Sequence, residues 1–217
     1  MKNTDTKFKN IDKCRISDSE KLEPIIDLGL HGLANSPKKN QDDYEEQFPL
    51  STSYCEKSSL FQLDQVILKP LYDNYVWVTG TSKQALDYSY TFYNKVLEYV
   101  RPGKNDLIVE IASNDGTFLI PFLKNNFKKV VGVDPAVNIS NEAIKNNIPT
   151  IIEYWSNDLA NKMNQDPKYG KAKVIFARNV IFHAIDLYDN ILGIHNALDD
   201  DGVGIIEFHS ASKIQKE

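Results

Sequence analysis

From Leu107 onward, apolar and polar positions follow a strict rhythm. Short β-branched runs, Leu107-Ile-Val-Glu-Ile111, Lys129-Val-Val-Gly-Val133 and the stretches near 149–153, 173–177 and 202–208, alternate with segments near 117–125, 138–146, 156–164 and 186–198. The runs read as buried strands and the intervening segments as helices with one apolar face. Such alternation predicts a parallel sheet with helices on both faces, an α/β Rossmann-like core over 105–217. Before it, Leu86, Tyr90, Tyr93, Val96, Leu97 and Val100 recur at helical spacing and predict a helix over 84–100, stopped by Arg101-Pro-Gly103. Residues 1–68 are irregular instead, with short apolar runs, turns and a charged stretch at 38–47. They predict a small β-rich module behind a loose polar start (1–12), with 69–104 as connector and helix.

The first strand closes on Ala112-Ser-Asn-Asp-Gly116, and the second ends in Asp134. Strand, tight turn, helix and a second strand ending in an acid form the nucleotide-binding half of a doubly wound sheet, whose ligands bind at the carboxyl ends of the strands. The turn narrows the ligand. Dinucleotide sites use glycines so that the backbone approaches a pyrophosphate, but Ala112 and Asn114 occupy the first two glycine positions here. Glu110 and Asp115 would also repel phosphate. S-adenosyl-L-methionine (SAM) carries an ammonium, a sulfonium and one carboxylate but no phosphate, and it suits an acidic turn better.

Within that reading Asp134 serves the ribose hydroxyls or caps the next helix, two roles that are compatible. Glu110 orders the turn or meets the methionine ammonium; otherwise it is a solvated strand-end carboxylate. Asn114 and Gly116 let the backbone approach the ligand, and the methyl of Ala112 is tolerated beside it. Tyr154-Trp155 flank the adenine or belong to the core. Asn179 follows the fourth strand. His183, one turn further, contacts or deprotonates a substrate, or else packs at a helix start. His195 and His209 have no evident partner.

With 41% hydrophobic and 25% charged residues the composition is that of a globular protein. A net charge of −5 leaves no electrostatic footprint for nucleic acid or an anionic membrane. No apolar run has the ~18 residues of a membrane span, and the first residues lack a signal-peptide core. Two cysteines in 217 residues fit a reducing compartment, so a cytoplasmic protein is expected.

Laid side by side, several segments resemble the SAM-dependent sugar C-methyltransferases of deoxysugar biosynthesis. In the first half these are Cys14-Arg-Ile-Ser17, Leu28-Gly-Leu-His-Gly-Leu-Ala-Asn35, Phe48-Pro-Leu50, Cys55-Glu-Lys-Ser58, Phe61-Gln-Leu63 and Tyr75-Val-Trp-Val-Thr-Gly-Thr-Ser82. The second half adds Glu110-Ile-Ala-Ser-Asn-Asp-Gly-Thr117, Gly132-Val-Asp-Pro-Ala136, Ile148-Pro-Thr150, Ala177-Arg-Asn-Val180, His183 and Asp201-Gly-Val203. The resemblance implies a nucleotide-linked 4-keto deoxysugar as substrate, methylated beside the ketone after removal of a proton. It places Tyr75 or Trp77, with Ser82, over the methionine end of SAM, where the aromatics could otherwise be interdomain packing, and Pro135 beside Asp134; His183 and Tyr75 are the catalytic candidates of this chain.

The chain departs from the family in two places. The family's zinc module is built on two C-x-x-C pairs, and here Ser17 and Ser58 replace both second cysteines. Structural zinc needs four good ligands and a serine hydroxyl is a poor one, so no metal is expected. The family also continues into a C-terminal half that carries its main catalytic residues, so the chain reads as truncated. The apolar edge at 204–208 is then expected to be covered by self-association or by a partner chain.

Overall fold

A computed structural model of the chain describes residues 8–34, 36, 38–68, 72–210 and 213. The chain divides into two units, Met1–Leu71 with Ile185–Tyr188, and Tyr72–Ala184 with Asp189–Glu217. In the first, β1 (Phe8–Asn10) pairs antiparallel with β5 (Gln65–Ile67), so a strand forms where a loose start was expected. Phe8 explains it, because its ring meets that of Phe48 edge-on at 6.4 Å. Residues 1–7 lie outside the described residues.

A three-stranded antiparallel sheet runs in the order β2 (Glu23–Gly32), β3 (Gln47–Cys55), β4 (Leu60–Leu63). Its outer strand β2 exposes Ile25, Ile26, Leu28 and Leu30. His31 turns a ring nitrogen to the carbonyl of Leu28 at 2.9 Å.

The second unit carries α1 (Lys83–Tyr99) and the five-stranded parallel sheet. Its elements are β6 (Leu107–Ile111), α2 (Ile120–Lys124), β7 (Lys129–Val133), α3 (Val137–Lys145), β8 (Thr150–Ile151), α4 (Asn157–Gln165), β9 (Ala172–Arg178), α5 (Leu187–Ala197) and β10 (Leu198–Glu207). The strand order is β10-β9-β6-β7-β8. From β6 the chain winds outward through β7 to β8 and then returns to the other side of β6 as β9. The switch point therefore lies between β6 and β9, where doubly wound sheets bind ligands.

All five residues of β6 are buried, as expected of a central parallel strand covered on both faces. Phe92, Tyr93 and Val96 of α1 pack with Ile108, Phe118, Phe122, Phe127, Val174 and Phe176 in one core cluster. Edge-on Tyr93–Phe122 contact at 4.9 Å ties α1 to α2, and tilted Phe92–Phe176 contact at 4.9 Å ties it to β9. Helix α1 thus contributes to the core of this unit.

Three boundaries differ from the sequence expectation. Helix α2 begins at Ile120 rather than 117, with Pro121 in its first turn, where a missing N–H costs nothing. Strand β8 keeps only two residues. Strand β10 starts at Leu198, directly from α5, and its register against β9 shifts between Leu198 and Val203. It is the edge of the sheet and exposes Val203 and Ile206, with Phe208 just beyond. No described helix is long and apolar enough to cross a membrane.

Candidate cofactor-binding site

At the carboxyl end of β6 the backbone enters a turn whose alternate residues are left-handed. Ala112 has φ +53°, Asn114 +54° and Gly116 +76°. The first two are the first two glycine positions of a G-x-G-x-x-G turn, whose third falls on Thr117, so this chain makes its left-handed turn with glycine at 116 alone. Asparagine tolerates this region through its short polar side chain, whereas alanine is strained there by about 1–2 kcal/mol.

Asp134 anchors the turn from β7. Its Oδ2 accepts the Asn114 N–H at 2.7 Å and its Oδ1 accepts the Ala136 N–H at 2.8 Å. The carboxylate thus caps α3 and holds the turn at once. It is 6% exposed, and burial raises its pKa against the lowering effect of those two bonds. A carboxylate offers roughly four lone-pair sites, so two remain for a ligand. Pro135 sits half-buried between the carboxylate and the Ala136 N–H that it receives.

The segment 72–82 is clipped onto this turn by side chains that bond its backbone. Asn114 accepts the Thr79 N–H at 2.9 Å and donates to the Trp77 carbonyl at 2.9 Å. Asp115 Oδ2 accepts the Gly80 N–H at 2.8 Å, while its Oδ1 accepts the Thr117 hydroxyl at 2.7 Å. Asn138, at the start of α3, bonds both the N–H and the carbonyl of Tyr75, at 3.0 and 2.8 Å. A β-carbon at Gly80 would lie 2.5 Å from Asp115 Oδ2, so a side chain there would push the carboxylate off its place.

These clips bring Tyr75 to Asp134, whose charge adds to desolvation in raising the phenol's pKa. Tyr72 stands 5.9 Å from Tyr75 and 6.1 Å from His183 between ring centroids, linking the two catalytic candidates. Desolvation lowers the pKa of His183, so its imidazole is neutral at pH 7.

Other expected residues are placed differently. The Ser82 hydroxyl accepts the Ala85 N–H at 3.3 Å and caps α1. Trp155 is 5% exposed and donates its indole N–H to Asn190 O at 3.1 Å, which makes it a core residue. Its neighbour Tyr154 is the exposed one of the pair, with its hydroxyl on Asp73 at 2.9 Å. Asn179, left-handed at +54°, donates its side-chain amide to Glu207 Oε1 at 3.0 Å. Arg178 and Tyr88 join the same carboxylate, and the Arg178 guanidinium lies 3.3 Å from the Phe118 ring centre.

Glu110 is 3% exposed, and its Oε2 has no hydrogen-bond partner. Desolvation raises its pKa well above the ordinary 4.5; Arg178 opposes the shift, and Asp115 and Asp134 add to it. Folding therefore favours the protonated acid. That contribution is complete below the ordinary value and is lost as pH rises through the folded-state value. Glu110→Gln is expected to flatten the fall of the melting temperature as pH rises from the ordinary carboxylate value into the alkaline range, and to melt above wild type at its upper end. A glutamine variant that melts below wild type at the upper end of that range would refute the buried neutral acid.

Comparison with known proteins adds four findings. A family model described as "Putative zinc binding domain" matches residues 14–70. The C-methyltransferase NovU of Streptomyces niveus is 26% identical over 200 residues, 91% of this chain and 47% of its own length. A tRNA U34 carboxymethyltransferase of Campylobacter lari is 27% identical over 122 residues, 55% of this chain and 40% of its own. The crystal structure of the PH0226 protein from Pyrococcus horikoshii OT3 superposes with a TM-score of 0.49 at 14% identity, over 64% of this chain and 61% of that one. The chain spans about half the length, or less, of the curated relatives it matches.

Proposed function

We propose that this chain binds S-adenosyl-L-methionine at the carboxyl ends of β6 and β7 and serves a SAM-dependent methyltransferase. The observation that carries this reading is the left-handed turn of Ala112, Asn114 and Gly116 held by the Asp134 carboxylate. It follows a left-handed path as a glycine-rich turn does, yet the carboxylates of Asp115 and Asp134 stand on it and beside it, which suits a cation rather than a phosphate. The likeness to a C-methyltransferase over 91% of the chain supports the finer proposal, methyl transfer to carbon beside the ketone of a nucleotide-linked 4-keto deoxysugar.

When bound, the cofactor supplies an electrophilic methyl group. The chain's own residues do the rest. Asp134 accepts the ribose hydroxyls with its remaining lone pairs, and the acidic turn draws the ammonium. His183, neutral at pH 7, accepts on a ring nitrogen the proton released beside the ketone. The Tyr75 phenol stays protonated and donates to the enolate oxygen as charge develops there.

A second reading, a SAM-binding chain that needs a partner for catalysis, is favoured by β10, the edge strand of the sheet among the described residues, which exposes Val203 and Ile206. Calorimetric titration of SAM and of S-adenosylhomocysteine into the 217-residue chain tests the common premise. One saturable site for each is the expected result, and no binding by a folded chain would sink both readings. Methyl transfer to the sugar substrate, measured with and without a candidate second chain, then decides between them.

A further inference from the structure

The stretch matched by a zinc-binding family model contains two turns of the same build. Cys14-x-x-Ser17 is followed by Asp18 at φ +54°, and Cys55-x-x-Ser58 by Ser59 at φ +56°. Each turn closes on itself by a bond of its own span, Asp18 N–H to Cys14 O four residues back at 3.1 Å and Ser59 N–H to Glu56 O three residues back at 3.4 Å. The Ser17 N–H also points at the Cys14 sulfur, at 3.4 Å. The two turns then face each other with their side chains crossed. Cys14 Sγ lies 3.0 Å from Ser58 Oγ, and Ser17 Oγ lies 3.5 Å from Cys55 Sγ. Both sulfurs are buried.

This arrangement does not fit zinc. Two of the four converging atoms are hydroxyl oxygens, which rarely ionise and bind the ion poorly. Among the described residues no group of three His, Cys, Asp or Glu side chains comes together. His31, which also lies in the matched stretch, is occupied by Leu28 O on an exposed strand. The hydroxyls have another use. Each sulfur shares a hydrogen bond with one serine hydroxyl where a metal would otherwise bridge all four atoms, so the thiols are satisfied without an ion. The same hydroxyls, Ser58 and then Ser17, hold the Cys55 thiol below its usual range.

We infer that the N-terminal module joins its two knuckles without a metal, through a crossed cluster of two thiols and two serine hydroxyls. We infer also that Ser17→Cys with Ser58→Cys turns the same four positions into a tetrahedral zinc site.

Metal analysis and chelator-dependent melting test this directly. The wild-type chain is expected to purify with far less than one zinc per chain and to melt at the same temperature with and without EDTA. The S17C/S58C chain is expected to take up one zinc and to hold it more than about a hundredfold more tightly than wild type against a chromophoric chelator. Its melting temperature should fall on addition of EDTA. Cobalt(II) in that variant should show the thiolate charge-transfer bands of a four-sulfur site. A wild-type chain with stoichiometric zinc whose removal unfolds the module would overturn the inference. A folded double variant with no more zinc than wild type would do the same, since the four positions would not converge. Should the double variant fail to fold, the wild-type metal content and EDTA response decide alone.

Discussion

Asp134→Ala is expected to abolish the calorimetric signal of SAM and S-adenosylhomocysteine and to lower the melting temperature as well. One side chain has two duties here. It accepts two backbone N–H groups, those of Asn114 and Ala136, and it carries the lone pairs left for the ribose. Truncation leaves both donors without an acceptor in a buried setting, at about 1–3 kcal/mol each. The turn that should receive the ligand then loses its anchor. Asp134→Asn is milder but not free of structural cost: it keeps the shape and one acceptor oxygen, loses the charge, and turns its NH2 towards one of the two backbone N–H groups. Hydrogen bonds to a charged group contribute about 1.5–3 kcal/mol, so the asparagine variant should bind roughly 10- to 100-fold more weakly while staying folded. Wild-type affinity in a folded Asp134→Ala chain would show that the ligand, if any, sits elsewhere.

What was legible in the sequence follows a physical division. The parallel strands announce themselves because β6 and its neighbours are buried on both faces and are written as β-branched runs. The position of Asp134 follows from the same alternation, since the end of the second strand faces the end of the first. Left-handed backbone at Ala112 and Asn114 is not spelled by residue type, because neither is glycine; it emerges only when the segment is aligned with a glycine-rich turn. The clips that hold 72–82 were invisible. They join side chains to backbone groups 35 residues away for Thr79–Asn114 and 63 for Tyr75–Asn138, and such bonds leave no local periodicity. Tyr72 was hidden for a related reason: it lies in an aromatic-dense connector where any ring could have been the one that bridges Tyr75 to His183. Trp155 shows the opposite case. An indole beside a strand end is compatible with a ligand or with the core, and only the Asn190 carbonyl decides for the core.

Two substitutions in the turn should differ in their effect on stability, one clearly destabilising and the other not, and the pair is sharper than either alone. At Gly116 a β-carbon would sit 2.6 Å from Ile148 Cγ2 and 2.7 Å from its Cδ1, on a backbone at φ +76°. Gly116→Ala therefore meets two costs, about 1–2 kcal/mol for left-handed alanine and about 1–3 kcal/mol for displacing a core isoleucine. A loss of roughly 3 kcal/mol, read as a lower urea midpoint at unchanged slope, is expected. Ala112 already bears the first cost at φ +53°. Glycine there removes about 1–2 kcal/mol of strain against about 0.5–1 kcal/mol of added chain entropy, so Ala112→Gly should be neutral or stabilising by up to about 1 kcal/mol. If both variants lose stability alike, residue 112 is not left-handed in solution. The turn then does not follow the nucleotide-binding path, and the cofactor proposal loses its main support. If the two effects differ in this way, the backbone geometry that recommends SAM is present before any ligand arrives, and the acids around the turn are left to choose which ligand that is.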